Sequence, residues 1–440
     1  MMASGAPSGA ALAEAKAAHE AGDLRKADRL YRRILRKDPN NAAALNLHGI
    51  LASQSGDPRR AVQSLKRAVA IDCDTVDYQI NLGVVLESSG DIASAYDHYA
   101  SALERKPHNA DLLGRVSEAA READRYEDFA VLLEGLCTDD PDYPQAQFLL
   151  GQALYFLQRP AEAVEPFRRA AALAPSFTQA YANLASVLMD LGRPEEALAA
   201  CADCLRINPG DSYALATQAI ALMETGDGNR ARALLDFDAL LEVHTLAPPS
   251  GYSDIAAFND ALEAAVMAHP TLRVDPNHRS CHFAGQTDDL FQDPVEPFIA
   301  LETAVRTAAE SYRKKLDPAS ALPFLANPAP RTELIGWATA MRAQGHQSAH
   351  IHPASWLSAV YYVRVPDLVR RGDNAHKGWI KFGQPPEHYP VTKEPDVTFI
   401  EPVEGKLILF PSYLYHRTMP HEDNALRISI AFDFDPTLAC

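Results

Sequence analysis

Three histidines and one arginine near the carboxyl end of the 440-residue sequence have the types and spacing of a ligand-binding site. His350 and His352 are two residues apart, and residues two apart on a strand point to the same face, so both imidazoles can meet one metal ion. His416 follows a strongly apolar stretch, GKLILFP, and adds a third imidazole. Arg427 and Ser429 also share one face, in LRISIAFDF. The pattern predicts a metal site close to an arginine, whose charge is permanent.

Two other histidines are alternatives to these ligands. His346 has the same strand parity as His350, but it lies about 13 Å away at roughly 3.3 Å per residue. His421 is the alternative to His416 as the distal ligand. The sequence favours the pair two residues apart, because one ion can reach both of its rings.

Arg427 also has a structural interpretation. It could form an ion pair with Asp433 or Asp435, which have the same strand parity. Trp337 and Trp356 are interpreted as core residues, although either could form a wall of the site. These alternatives remain open at the level of sequence.

The elements that must position these side chains are predicted to be strands. From residue 331 onward, short runs rich in Val, Ile, Tyr, Phe and Trp alternate with clusters of Gly, Pro, Asn and Asp. Six or more short strands without long helices between them indicate a sandwich or a jelly-roll barrel. Residues 246–330 are predicted to be a helical connector that supports this β domain, with helical spacing in 253–269 and 294–316.

The first half of the chain has a period of 34 residues. Steps of 34 from Gly22 reach glycine at five of seven positions, and the residue five positions later is alanine in six of seven. The residue seven positions earlier is always small. Small residues let two antiparallel helices approach closely, glycine ends the first helix, and a later proline stops the second. The period predicts a series of helix pairs.

This pattern resembles the tetratricopeptide repeat over seven units in residues 9–245. The resemblance implies an α-solenoid whose concave face binds a protein or peptide partner. Cys201 and Cys204 read as C-x-x-C, but both fall on core positions of the repeat. They are predicted to be buried apolar residues and not a redox or zinc pair.

The later motifs resemble those of iron(II)- and 2-oxoglutarate-dependent oxygenases over roughly 246–436. The segments that carry the resemblance are GHQSAHIHPASWLSAVYYV, GKLILFPSYLYH and RISIAFD. They are similar to a bacterial branch, related to prolyl hydroxylases, that is often fused to tetratricopeptide repeats. The implied fold class is multidomain α + β: the N-terminal α-solenoid is followed by a double-stranded β-helix (jelly-roll) domain with flanking helices, whose core spans residues 331–440.

The same resemblance implies cofactors and a site. The cofactors are Fe(II), 2-oxoglutarate as cosubstrate and O₂, with ascorbate as a candidate reductant. The implied metal ligands are His350, His352 and His416. The implied groups for the far carboxylate of 2-oxoglutarate are Arg427, Ser429 and either Tyr361 or Tyr362. The expected activity is hydroxylation of a protein or peptide that the repeats recruit.

One departure from the family pattern leaves other functions open. The family's second ligand is usually a carboxylate, yet no Asp or Glu stands between Glu333 and Asp367. The departure favours, as the alternative, a non-catalytic repeat scaffold with a degenerate oxygenase domain. A three-histidine dioxygenase that needs no 2-oxoglutarate is a further hypothesis, but it leaves Arg427 without a role.

Composition excludes several classes of protein. Apolar residues make up 47% and charged residues 22%, which excludes a mostly disordered chain. The net charge of −17 argues against nucleic acid or an anionic membrane as the main partner. No apolar run approaches the length of a transmembrane helix, and the N-terminus lacks the features of a secretory signal. With six cysteines and no disulfide-like spacing, the expected location is cytoplasmic.

Overall fold

The computed structural model describes residues 6–274, 281–292, 294–317, 319–320, 322–326, 331–370, 376–422 and 424–437. The chain divides into two compact units, Met1–Leu173 and Ala174–Cys440. Among the described residues, no helix combines the length and the apolar character that a membrane span requires.

The repeat region consists of consecutive helices, two for each 34-residue period. These are α1 (Ala6–Glu20), α2 (Leu24–Lys37), α3 (Ala42–Gln54), α4 (Pro58–Ile71), α5 (Val76–Ser88), α6 (Ile92–Arg105), α7 (Ala110–Glu122), α8 (Tyr126–Asp139), α9 (Pro144–Phe156), α10 (Pro160–Leu173), α11 (Thr178–Asp190), α12 (Pro194–Ile207), α13 (Ser212–Glu224) and α14 (Gly228–Leu234). The later helices are α15 (Phe237–Leu240), α16 (Ile255–Met267), α17 (Phe298–Arg313), α18 (Pro323–Ala326) and α19 (Asp367–Arg370).

The turn between the two helices of each pair explains the glycine period. All five glycines of that period have a positive φ, which residues with a side chain rarely adopt. Asp124 and Gln158 stand at the two positions without glycine, and their φ angles are 54° and 59°. The small residue of the first helix has a different role, because a Cβ atom added at Gly83 would lie 2.4 Å from the ring of Tyr99. The predicted solenoid of helix pairs is confirmed.

The second half contains an antiparallel sheet. Its strands are β1 (Glu242–Thr245), β2 (Arg273–Val274), β3 (Cys281–Gln286), β4 (Thr332–His350), β5 (Leu357–Arg364), β6 (Ile380–Phe382), β7 (Thr398–Ile400), β8 (Lys406–Pro411), β9 (His416–Thr418) and β10 (Arg427–Pro436). The strand order is β1-β8-β5-β10-β4-β9-β6-β7, while β3 pairs with both β4 and β2. The non-sequential order confirms the predicted fold class, an α-solenoid followed by a β domain of jelly-roll type.

The long strand β4 connects the elements that carry the candidate site. Along most of its length it pairs with β10, where Met341 lies opposite Arg427. At its end it pairs with β9, where His350 lies opposite His416. Strand β5 flanks β10 on the other side and brings Tyr362 opposite Ser429. Register therefore places His350, His416 and Arg427 on neighbouring strands.

The last repeat helices and the sheet belong to the same compact unit and share polar contacts. The hydroxyl groups of Ser186 in α11 and Tyr389 lie 2.8 Å apart. The carboxylate of Glu224, at the end of α13, accepts hydrogen bonds of 2.9 Å from the backbone N–H groups of Thr392 and Lys393. Directly after the repeats, β1 pairs with β8 as an edge strand. The helices α11–α14 therefore form part of the scaffold of the β domain.

Candidate metal and cosubstrate site

Three imidazoles meet where β4 ends. His350 is the last residue of β4, His416 is the first residue of β9, and the two are register partners. His352 lies two residues beyond β4, outside the strand. One ring nitrogen from each histidine lies within 4.8 Å of the others, which is close enough for all three to bind one ion. The structure thus brings together the three ligands that the sequence predicts.

Hydrogen bonds fix the orientation of each ring through its Nδ1 atom. Nδ1 of His350 lies 2.7 Å from the carbonyl oxygen of Ser348, and Nδ1 of His416 lies 3.0 Å from that of Leu414. Nδ1 of His352 lies 2.6 Å from a carboxylate oxygen of Asp433. A carbonyl or carboxylate oxygen can only accept, so the proton sits on Nδ1 and Nε2 carries the lone pair. All three rings therefore present Nε2 as the atom that can bind a metal.

Burial keeps two of the rings neutral. It lowers the pKa of His350 to about 4, and the nearby His352 contributes to the shift. Burial also lowers the pKa of His416 well below its usual value, with a further contribution from the other two rings. Neutral imidazole is the form that binds a metal ion. The site is therefore ready for a cation at neutral pH without first releasing protons from these two rings.

Arg427 is buried and lines the same cavity. Its side chain is 1% exposed, its Cζ atom lies 5.3 Å from the centre of the Tyr362 ring, and Nη1 lies 3.5 Å from Oγ of Ser429. Among the described residues no carboxylate pairs with it, and its Nε has no hydrogen-bond partner. Burial lowers the pKa of the guanidinium from its usual value. A buried charge without a partner is unfavourable, so this group is suited to an anionic ligand.

The structure separates the two candidate tyrosines. Tyr362 lines the cavity together with the three histidines and Arg427, and its hydroxyl has no hydrogen-bond partner in the described part of the chain. Tyr361 is the neighbouring residue on β5, so its side chain points to the opposite face. Its hydroxyl donates to the side-chain oxygen of Asn259 in α16 at 2.7 Å. Tyr362 therefore lies at the cavity, and Tyr361 fixes a helix against the back of the sheet.

The rival histidines lie outside the cluster. Nδ1 of His346 contacts the carbonyl oxygen of Gln344 at 2.9 Å, and His346 is not one of the three clustered residues. His421 is buried, with 1% exposure, and is not part of the cluster either. The register of β4 explains the difference, because His350 and not His346 lies opposite His416.

The two aspartates proposed as ion-pair partners of Arg427 contact other residues. Asp433 binds His352 and accepts a hydrogen bond of 2.7 Å from the hydroxyl of Ser358. Asp435 accepts a hydrogen bond of 2.5 Å from Ser355. The structure therefore does not contain the ion pair between Arg427 and Asp433 or Asp435 that the sequence left open.

The two tryptophans have different environments. Trp337 lines the cavity, and its ring stacks on that of His352 with the centres 5.6 Å apart. Trp356 stacks on Phe324 at 5.3 Å and lies under the guanidinium of Arg313. Trp337 is therefore a wall of the site, whereas Trp356 belongs to the core, as the sequence suggested.

Sequence reasoning missed several polar residues of the cavity. Thr339 and Gln347 on β4 and Thr418 on β9 also line it. Thr418 is two residues after His416, and Thr339 lies opposite Ser429 in the β4–β10 register. Strand alternation from His416 could have identified Thr418 as a cavity residue. Thr339 and Gln347 could be identified only once the pairing of strands distant in sequence was known.

Comparison with known proteins agrees with both halves of this architecture. Residues 12–212 match the tetratricopeptide repeat family in five overlapping segments. Residues 336–433 match the family described as "Putative 2OG-Fe(II) oxygenase". This segment contains the three histidines, Arg427 and Asp433. The comparison with curated proteins gives no match.

Solved structures are similar to part of the chain. A crystal structure of YrrB, described as a tetratricopeptide repeat protein with an unusual peptide-binding site, is 18% identical and covers 42% of this chain and 95% of its own, with a TM-score of 0.34. The Naa15/Naa10 complex bound to HypK-THB is 16% identical over 52% of this chain and 37% of that one, with a TM-score of 0.41. MamA from Desulfovibrio magneticus RS-1 is 17% identical and covers 38% of this chain and 94% of its own, with a TM-score of 0.30.

The two family matches and the fold agree with each other. The repeats account for the helix pairs, and the second family accounts for the β domain that carries the histidine cluster. The chain is therefore a fusion of tetratricopeptide repeats with a domain that matches the 2OG-Fe(II) oxygenase family.

Proposed function

We propose that this chain is an Fe(II)- and 2-oxoglutarate-dependent oxygenase that hydroxylates a protein or peptide recruited by its repeats. The observation that carries the proposal is that one cavity holds three clustered imidazoles and the buried Arg427, which has no carboxylate partner among the described residues. The first arrangement suits a metal ion, and the second suits an anion bound beside it.

The donor set fits Fe(II). Imidazole nitrogen is a suitable ligand for iron, and three ligands leave open coordination positions for a chelating cosubstrate and O₂. Nε2 of His352 is buried and, within the described ranges, has no hydrogen-bond partner, as expected for an atom that binds a metal. His350, His352 and His416 would hold the ion. Because imidazole binds a metal as a neutral ligand, the ion keeps its full charge, which favours an anionic chelator.

The opposite side of the cavity fits the far carboxylate of 2-oxoglutarate. Arg427 offers a planar fork that can bind a carboxylate through two hydrogen bonds. Burial raises the pKa of Tyr362 to about 12, so its hydroxyl keeps its proton and can donate a further hydrogen bond. Ser429 lies next to the guanidinium and offers a third hydroxyl contact. These three residues would orient the cosubstrate.

The chemistry follows from the groups that the site would hold. With Fe(II) bound, O₂ would convert 2-oxoglutarate to succinate and CO₂, and the second oxygen atom would replace a C–H bond of the substrate with C–OH. The protein's own residues bind, orient and shield the reactants. Trp337 and Phe410 line the cavity with apolar surface, which limits the access of water.

The repeats support a protein partner. A groove between α5 and α7, the first helices of two consecutive repeats, is lined by both acidic and basic side chains, including Glu87, Asp111 and Arg115. Mixed charge beside apolar Ile80 suits a peptide with polar and apolar side chains. We place the partner on the concave face of the solenoid and the protein in the cytoplasm. Four free cysteines among the described residues are compatible with a reducing compartment.

A repeat scaffold with an inactive β domain is the second candidate. The observation that favours it is that all three clustered groups are histidines, without a carboxylate among them. Metal analysis of the full chain purified without chelators separates the two functions. Iron or another divalent metal bound in stoichiometric amount supports the oxygenase, whereas a metal-free chain with intact partner binding supports the scaffold.

Substrate capture tests the oxygenase directly. The full chain is used to capture proteins under anaerobic conditions, and Fe(II), 2-oxoglutarate and air are then added. We expect a captured protein to gain the mass of one oxygen atom while succinate accumulates. Both changes should be absent with His416→Ala and present with His346→Ala. If no succinate forms and no captured protein gains mass, the proposal is contradicted.

A further inference from the structure

One of the three clustered histidines is held differently from the other two. His350 and His416 lie in paired strands, and their rings bind carbonyl oxygens two residues earlier in the chain. His352 lies in the loop after β4, so strand pairing does not fix it. Its ring instead contacts a carboxylate 81 residues away, that of Asp433. The position of His352 therefore depends on contacts outside the regular strand pairing.

A closed ring of hydrogen bonds, here called the circuit, joins His352, Ser412, Ser358 and Asp433. The backbone N–H of His352 donates to the carbonyl oxygen of Ser412 at 3.1 Å, and the Ser412 hydroxyl lies 2.8 Å from that of Ser358. Ser358 donates to one oxygen of Asp433 at 2.7 Å, and the other oxygen lies 2.6 Å from Nδ1 of His352. Asp433, Ser358 and Ser412 are all buried. These hydrogen bonds tie the loop to β5 and β10 through buried side chains.

The face of the ring is fixed as well. Trp337 stacks on the His352 imidazole at an interplanar angle of 21°. The circuit prevents the ring from rotating about its long axis, and the tryptophan restricts its tilt. Nε2 is consequently the one ring nitrogen of His352 that can reach the centre of the cluster.

We propose that Asp433 is a positioning residue that fixes the tautomer of His352 and passes negative charge to the metal site through the imidazole ring. A carboxylate that accepts from Nδ1–H makes Nε2 a stronger donor and orients it toward the ion. Asp433 thus supplies to the cluster part of the charge that three neutral imidazoles lack. The inference rests on the metal-binding part of the proposed function and not on the hydroxylation itself.

Asp433 is expected to act on metal affinity mainly by fixing the tautomer of His352. An amide at position 433 can donate from its NH₂ group to an unprotonated Nδ1, which moves the ring proton to Nε2 and blocks the metal-binding atom. An amide that accepts from Nδ1–H keeps the tautomer but lacks the negative charge. In both cases metal affinity decreases, although the shape of the side chain is unchanged.

Cobalt(II) titration of the full chain tests this role, because Co(II) gives a visible spectrum that reports its ligands. We expect D433N to weaken Co(II) binding by about 10- to 100-fold and to change the visible spectrum. D435N is the matched control, since Asp435 lies two residues further along β10 and binds Ser355, not a histidine. It should leave both affinity and spectrum as in the wild type. Equal Co(II) affinity and equal spectra for wild type and D433N would overturn the inference.

Nitrogen NMR of histidine-labelled wild-type protein gives a test that needs no variant. We expect metal-free His352 to carry its proton on Nδ1, and a proton on Nε2 would overturn the inference even if D433N failed to fold. A wild-type chain that does not bind Co(II) would also overturn it. If Co(II) binds and D433N weakens it, but no succinate forms from 2-oxoglutarate, then the oxygenase proposal fails while the role of Asp433 stands.

Discussion

The interior of the repeats and the interior of the β domain bury different kinds of side chain. Between paired repeat helices, apolar side chains meet small residues, as Tyr99 meets Gly83. In the β domain, the buried groups include the imidazole of His416 and the guanidinium of Arg427, which has no carboxylate partner among the described residues. Burial of apolar surface stabilises a fold, whereas burial of an unpaired charge opposes folding. Packing inside the repeats thus stabilises the fold. The polar groups buried in the β domain lower its stability but can bind a ligand.

The largest effect that this comparison predicts is the loss of metal binding in H416A. The side chain is buried and is one of the three proposed ligands, so the other two imidazoles alone should hold Fe(II) too weakly for turnover. We expect no measurable succinate formation and no stoichiometric metal. H346A is the control and should retain both, because His346 lies outside the cluster. Normal metal content in H416A would contradict the assigned ligand set.

The next effect concerns the cosubstrate. R427A should raise the concentration of 2-oxoglutarate needed for half-maximal rate by about 100-fold, since two charge-assisted hydrogen bonds together contribute about 3 kcal/mol. The measurement is succinate formation at increasing 2-oxoglutarate. R427K keeps the charge but loses the fork, and an intermediate increase is expected. An unchanged requirement in R427A would show that the carboxylate binds elsewhere.

In the repeats the corresponding change should affect stability alone. G83A places a Cβ atom 2.4 Å from the Tyr99 ring and should lower the free energy of unfolding by about 1–3 kcal/mol. The matched control is G114A, because a Cβ atom at Gly114 meets nothing within 4 Å and alanine favours the helix. Urea unfolding should separate the two variants, and Co(II) affinity should be the same in both. A destabilised G114A would contradict this account of the small positions.

A smaller effect should appear in the pH dependence of stability. The pKa of His350 is about 4 in the folded, metal-free protein, against 6.5 ordinarily. Between these values the unfolded chain binds a proton that the folded chain does not, so stability falls as pH decreases through this window. When unfolding is measured at about pH 7 and about pH 5, the free energy of unfolding should decrease less for H350Q than for the wild type. Equal losses would contradict the burial of a neutral ring.

The sequence allowed the regular parts of the molecule to be predicted more completely than the site. The helix pairs follow from a 34-residue period, because each repeat imposes the same local packing. The three histidines and Arg427 could be selected from strand parity and from the resemblance to a family. The choice of Tyr362 over Tyr361 could not be made, because adjacent residues differ only in which face of β5 is the inner one.

The role of Asp433 was missed for a related reason. Strand parity placed it on the same face as Arg427, and an ion pair between opposite charges was the simplest interpretation. Parity does not reveal that β5 brings Ser358 opposite Asp433, or that the loop after β4 returns His352 to the same point. Contacts between residues distant in sequence, in loops outside regular strands, required the structure.

An anaerobic titration of Fe(II)-loaded full chain with 2-oxoglutarate tests most directly whether the imidazoles and Arg427 form one site. When 2-oxoglutarate chelates Fe(II), a weak visible charge-transfer band is expected. We expect the band to saturate with 2-oxoglutarate in the wild type and in H346A, whereas R427A should reach saturation only at much higher 2-oxoglutarate concentrations. No band in wild-type protein that metal analysis shows to contain Fe(II) would contradict the account.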